Sequence, residues 1–125
     1  MLSDAPVSAV LPATDLNRAK DFYQHKLGLK PLPLPMDDPI MFSAGEGTTL
    51  VVYHRAEGTK AEHTVAGFKV KDVAQTIAEL EAKGVVFEDY DQPGLKTVNH
   101  IADYGTAKSA WFKDSEGNIL AINQM

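Results

Sequence analysis

The chain has 125 residues, 44% of them apolar and 23% charged, with a formal net charge of −5 and no cysteine. That composition fits one globular domain with its own core, and it excludes disulfides, thiolate metal sites and cysteine nucleophiles. The basic residues are scattered and never adjacent, which argues against a nucleic-acid partner, since phosphate binding needs clustered Lys and Arg.

Met1 to Pro6 has neither the basic start nor the long apolar run of a signal peptide. No stretch approaches the roughly 20 apolar residues that span a bilayer. A cytoplasmic protein without a membrane partner is the expectation.

Val7 to Leu11 reads as a short strand closed by Pro12. Asp15 follows as a helix N-cap, because its carboxylate can accept from the orphan amides of the first turn. Leu16, Ala19, Phe22, Tyr23 and Leu27 recur at helical spacing, and Gly28 stands where a left-handed cap belongs, so a helix is expected over Asp15 to Leu27. Lys30 to Met36 carries Pro31, Pro33 and Pro35 and suits only a sheet edge. Ile40 to Ala44 and Thr48 to Tyr53 read as strands around a turn at Gly45 to Gly47. Arg55 to Glu62 is a polar connector.

The pattern then restarts. Val65 to Val70 reads as a strand, and Asp72 as an N-cap with Gln75 in the reciprocal capping-box position. Val73, Ile77 and Leu80 form the buried face of the next helix, and Gly84 ends it. Val85 to Tyr90 reads as a strand, and Asp91 to Lys108 as a long loop, which in a small domain is usually functional or mobile. Ser109 to Lys113 and Ile119 to Asn123 form a hairpin around Asp114 to Asn118.

Asp15 matches Asp72 at an offset of 57, Gly28 matches Gly84 at 56, and Gly47 matches Gly117 at 70. The strand–helix unit is therefore repeated, and the offset grows where the second copy carries its extra loop.

Three segments carry a family resemblance. They are Thr14-Asp15-Leu16-Asn17-Arg18-Ala19-Lys20-Asp21-Phe22-Tyr23 with Leu27-Gly28-Leu29, then Val70-Lys71-Asp72 with Leu80 and Gly84, and finally Trp111 through Leu120. In this order they resemble the vicinal oxygen chelate superfamily of glyoxalases, extradiol dioxygenases and bleomycin resistance proteins. The resemblance implies an α+β fold of two βαβββ modules in a pseudo-two-fold arrangement. Their mixed sheet would curl around a cleft, with helices on the outer face. One domain over 1–125 is expected, with modules at about 5–56 and 63–125. The resemblance also implies a homodimer.

Strand alternation assigns faces within that frame. Ala9, Leu11, Ala66, Phe68, Val70, Leu120 and Ile122 suit the core. Ser8, Val10, Val65, Gly67, Lys69, Ile119, Ala121 and Asn123 would line the cleft. Parity groups His54 with Leu50 and Val52 and assigns all three to the cleft.

Related enzymes hold a divalent metal there with His, Glu or Gln. Carried over by counting from the matched motifs, the ligand positions fall on Ser8, Val65, Ala121 and, to within a residue, Leu50. None offers the carboxylate or imidazole that such metals take. The expected site therefore has no metal and no cofactor.

The ligand-contact candidates are Trp111, His54, Asn123, Phe42, Lys69, His100 and Tyr104. Trp111 and Phe42 could stack on a ligand or fill the core; Tyr53 and Tyr90 share that ambiguity. His54 with His63 could form a displaced metal site, although a histidine at a strand end is more often just solvated. His100 lies in the long loop with Tyr104, where polar ligand contact and simple mobility are equally open.

Two functions follow. One is a metal-independent binding protein that sequesters an aromatic or antibiotic-like small molecule to give resistance. The other is an enzyme of the same superfamily (a lyase, an isomerase or a dioxygenase-like catalyst), metal-free or with a relocated metal.

Overall fold

The structure is a computed structural model that describes all of residues 1–125. The chain divides into two compact units, Met1–Lys60 and Ala61–Met125.

The first unit runs β1 (Ser8–Ala13), α1 (Leu16–Asp21) with a continuing turn Phe22–Lys26, β2 (Lys30–Leu32), β3 (Ile40–Ser43) and β4 (Thr49–His54). Its sheet has the order β1-β4-β3-β2. β1 pairs parallel to β4 and the other pairs are antiparallel. Asp15 caps α1 as its position suggests, accepting from the Arg18 amide at 3.0 Å. The helix does not stay α-helical to Leu27, however. Its last turn is a π-turn, in which the Leu27 amide donates to the Phe22 carbonyl five residues back at 3.1 Å. The wider turn lets Phe22 and Tyr23, neighbours in sequence, both enter the core. Gly28 at φ 75° supplies the left-handed residue that ends it.

Strand β1 continues through Pro12 instead of closing there. It is an edge strand of its sheet, where a residue without an amide donor is tolerated.

Register settles the faces of this sheet. Ala9, Leu11 and Ala13 stand opposite Leu50, Val52 and His54, and Leu50 stands opposite Phe42. Leu11, Ala13, Leu50, Val52 and Phe42 of this set are buried and, with Tyr23, form the helix-covered core. Two sequence expectations are corrected. Leu50 and Val52 lie on the core side, not the cleft side. Phe42 has no exposed surface and packs on Tyr23 with ring centroids 5.6 Å apart, so it presents nothing to a ligand.

The second unit runs β5 (Thr64–Lys69), α2 (Val73–Ala82), β6 (Asp91–Gln92), β7 (Leu95–Lys96), β8 (Ala102–Asp103), β9 (Lys108–Lys113) and β10 (Ile119–Gln124). Its main sheet has the order β5-β10-β9-β8, with the parallel pair again at one end. Asp72 accepts from the Gln75 amide at 3.1 Å. The reciprocal half of the capping box is absent, because the Gln75 side chain donates forward to Glu79 at 3.1 Å. Gln124, at the end of β10, instead accepts from the Val73 amide at 2.9 Å and satisfies a second orphan donor.

The strand expected over Val85 to Tyr90 shrinks to a bridge between Phe87 and Phe112, reinforced by the Glu88 amide donating to the Trp111 carbonyl at 2.8 Å. It is the counterpart of the Pro31–Phe42 pair in the first unit. The 91–108 segment, expected as a loop, contains the β6–β7 ribbon, and its strand β8 extends the outer edge of β9 through Ala102 opposite Ser109. Turn Asp114 to Asn118 is locked by the buried Asp114 carboxylate. It accepts from the Glu116 amide at 2.8 Å, the Asn118 amide at 2.9 Å and the Asn118 side chain at 2.8 Å.

Candidate functional site

In the second unit α2 covers one face of the sheet, where Ala110, Phe112, Leu120 and Ile122 are buried. Alternation sends their neighbours to the helix-free face. Register arranges those neighbours in two rows. Gly67, Ala121 and Trp111 stand side by side across β5, β10 and β9. Lys69, Asn123 and Ser109 form the next row.

The first row sets two very small residues beside the single tryptophan. Tyr90 meets Trp111 edge to face, with centroids 5.5 Å apart and planes at 88°, a favoured aromatic geometry. Beyond them Lys113 lies 3.8 Å from Glu88. Burial, and secondarily the negative charge of Glu88, push the Tyr90 hydroxyl above its ordinary pKa.

The second row is polar. Ser109 Oγ donates to Asn123 Oδ1 at 2.7 Å, which fixes the carboxamide and leaves its Nδ2 over Gly67. A Cβ on Gly67 would come within 3.0 Å of that nitrogen. Glycine at 67 is thus what lets Asn123 lie flat on the sheet. The face offers an aromatic wall, a recess at Gly67, an amide held in one orientation and the exposed Lys69 ammonium.

Of the sequence candidates, Trp111, Asn123 and Lys69 are brought together here. His54 is exposed at the end of β4, and its amide donates to Asp38 at 3.1 Å; its register position belongs to the helix-covered side. Tyr104 is 55% exposed in the turn after β8 and does not join the aromatic pair.

His100 also lies elsewhere. Its Nδ1 is 2.9 Å from Asp89 and its Nε2 is 3.6 Å from Glu81 of α2, and its ring stands 6.1 Å from Phe87. Asn99 and His100 are both left-handed, at φ 53° and 71°, a backbone form uncommon outside glycine and held here by those contacts. His100 therefore fastens the 91–108 segment to the helix side of the sheet.

Ser109, Glu88 and Lys113 were not among the sequence candidates. An alternation count outward from Phe87 would have found Glu88 and Tyr90, because Phe87 and Asp89 go to one side and Glu88 and Tyr90 to the other. The weak pairing of this segment hid that signal.

The family model described as Glyoxalase/Bleomycin resistance protein/Dioxygenase superfamily matches residues 6–122. The chain belongs to this superfamily. No curated protein matches it in sequence. Among solved structures, an antibiotic binding protein from a Streptomyces species superposes with a TM-score of 0.74 at 22% identity, covering 99% of this chain and 98% of that one. A glyoxalase family protein from Bacillus anthracis gives a TM-score of 0.76 at 16% identity over 97% and 94% of the two chains. Lactoylglutathione lyase from Agrobacterium tumefaciens gives 0.70 at 20% identity over 97% and 93%. Identities this low speak to the shared fold.

The residues at the metal positions of superfamily enzymes do not fit a divalent ion. Ser8 spends its hydroxyl on Thr49 Oγ1. Val65 and Ala121 are hydrocarbon. Leu50 faces the core, and its neighbours on the other face are Thr49 and Val51. No group of three His, Asp or Glu side chains is placed to hold a metal ion. Even the clamp of Glu81, Asp89 and His100 falls outside that description.

Proposed function

We propose that this superfamily member is a metal-independent binding protein that retains a flat aromatic, antibiotic-like molecule on the helix-free face of its second unit. The observation that carries the reading is the row Gly67–Ala121–Trp111, braced by Tyr90 and bordered by Lys69, Asn123 and Ser109. An aromatic wall beside a glycine recess suits a planar ring system. A fixed amide and an ammonium suit the carbonyl or phenolate oxygens at its rim. The donor-free side chains at the superfamily's metal positions support binding without a metal. The fold is shared with an antibiotic binding protein, which is consistent with ligand retention. A homodimer, which the resemblance implies, and a cytoplasmic location complete the proposal.

Trp111 is the only tryptophan, so its fluorescence reports directly on this face. Titration with a panel of planar phenols and quinones should give saturable quenching by at least one compound, unaffected by prior chelator dialysis. Measured by calorimetry, W111F should bind it at least about tenfold more weakly, and mass spectrometry should recover the compound unaltered. Quenching by none, a need for added metal, or chemical change of the bound compound would each overturn the proposal. Light scattering at twice the chain mass tests the dimer.

A further inference from the structure

A second cavity, of about 360 Å³, lies within the second unit and shares no residue with the aromatic face. It is lined by Lys96, Val98, Asn99, Ile101, Asp103 and Lys108. Lys108 has the parity of Ala110 and Phe112, so the cavity opens on the helix side of the sheet, opposite Trp111.

Its lining has a definite chemical character. Two lysines face one aspartate, giving a locally cationic recess in a chain of net charge −5. Neither lysine forms an ion pair, although Lys96 stands opposite Asp91 and Lys108 opposite Asp103. The Asp103 carboxylate is engaged elsewhere, accepting from the Gly105 amide at 2.8 Å. Val98 and Ile101 give an apolar wall, and Val98 is 64% exposed. Asn99 adds an amide at the rim.

We infer that this cavity binds a small amphipathic monocarboxylate. Its carboxylate would meet Lys96 and Lys108, and its short apolar body would cover Val98 and Ile101. A lysine without a partner in a recess gains most from an anion that can also be partly desolvated there. The apolar wall favours an organic acid over an inorganic ion. Asp103 in the lining disfavours a dianion. The His100 clamp onto Asp89 and Glu81 holds the adjacent Asn99, so the recess is formed before the ligand arrives.

The test is a titration of the full chain, followed by amide shifts in two-dimensional NMR, with hexanoate, hexanol and inorganic phosphate as separate probes. Hexanoate should shift the amides of Asn99, Ile101 and Asp103 saturably, more tightly than either other probe. K96Q/K108Q should weaken it about tenfold or more, and each single variant should weaken it by less. Unchanged spectra elsewhere would show the variants folded, and Trp111 fluorescence should not respond to hexanoate. The inference is overturned if hexanol or phosphate binds as well as hexanoate. It is also overturned if the charge-removed variants bind unchanged, or if the shifts map to the Trp111 face. Because the two faces share no residue, failure here leaves the aromatic-ligand proposal standing, and the reverse also holds.

Discussion

Replacing Gly67 by alanine separates stability from binding in a way that only the described geometry explains. The backbone at Gly67 is not left-handed, so alanine is sterically allowed there. The new Cβ would stand 3.0 Å from Asn123 Nδ2, so the carboxamide must give by a few tenths of an ångström. That movement strains the 2.7 Å bond from Ser109, a loss of at most about 0.5–1.5 kcal/mol. Against it, alanine within a strand is about 0.5–1 kcal/mol better than glycine. The two terms nearly cancel, so stability should stay within about 1 kcal/mol of the original. Binding of a planar ligand should nevertheless fall about tenfold, because the recess is filled and the amide misaligned. Urea unfolding gives the first quantity and Trp111 quenching the second. The route through Asn123 is read from a double-mutant cycle. With N123A in place, G67A should cost little further binding. Full additivity of the two losses, or destabilisation by G67A beyond about 2 kcal/mol, would refute the reasoning.

The Tyr90 hydroxyl should lose its proton above pH 10.0, because burial first and Glu88 second raise its pKa. The folded chain then holds this proton more tightly than the unfolded chain. Its contribution to stability is intact below the unfolded value and is lost as pH rises through the folded one. The difference in tyrosinate absorbance between the original chain and Y90F should isolate a phase above pH 10.0 that E88Q moves only part of the way back; a difference phase at or below 10.0 would contradict this. D114A removes a buried carboxylate that accepts three hydrogen bonds and should cost about 2–4 kcal/mol in urea unfolding. A loss below about 1 kcal/mol would show that the turn is held by other contacts. F42A should cost about 3–5 kcal/mol by emptying the core beside Tyr23, whereas F42L should leave ligand titration unchanged. A binding defect in folded F42L would return Phe42 to the ligand site.

The repeated βαβββ plan was legible because it rests on local signals. Asp15 and Asp72 cap their helices as expected, and Gly28 and Gly84 end them in positive φ. Alternation likewise placed Trp111's neighbours Asn123 and Lys69 together. What failed was long-range. Nothing local says that β4 pairs with β1 so that Leu50 meets Ala9, and the cleft-side parity of Leu50, Val52 and His54 was inverted without that register. The π-turn at Phe22–Lys26 depends on both aromatic rings finding space in the core, a tertiary demand. The strand content of 91–108 comes from β6 and β7 pairing with each other and from β8 pairing with β9, whose free edge is apparent only once the sheet is built.

Comparison of the two units by register shows where their corresponding rows agree and where they differ. The core row of the first unit, outward from its parallel edge, is Ala9, Leu50 and Phe42. In the second it is Ala66, Leu120 and Phe112, the same three residue types. The helix-free row one step along is Val10, Val51 and Met41 in the first unit. In the second it is Gly67, Ala121 and Trp111. Packing against a helix demands dense filling in both copies, and this core row does it with the same residues, whereas the next one, Leu11, Val52 and Ile40 against Phe68, Ile122 and Ala110, redistributes them. No such demand explains why two valines and a methionine on one side answer to a glycine, an alanine and a tryptophan on the other. The volume has been moved from β5 and β10 onto β9, which opens a recess beside an aromatic wall without changing the sheet. The row beside the shared Ala–Leu–Phe core row is thus where the second unit departs from the first, and the chemistry it offers is stacking and hydrogen bonding.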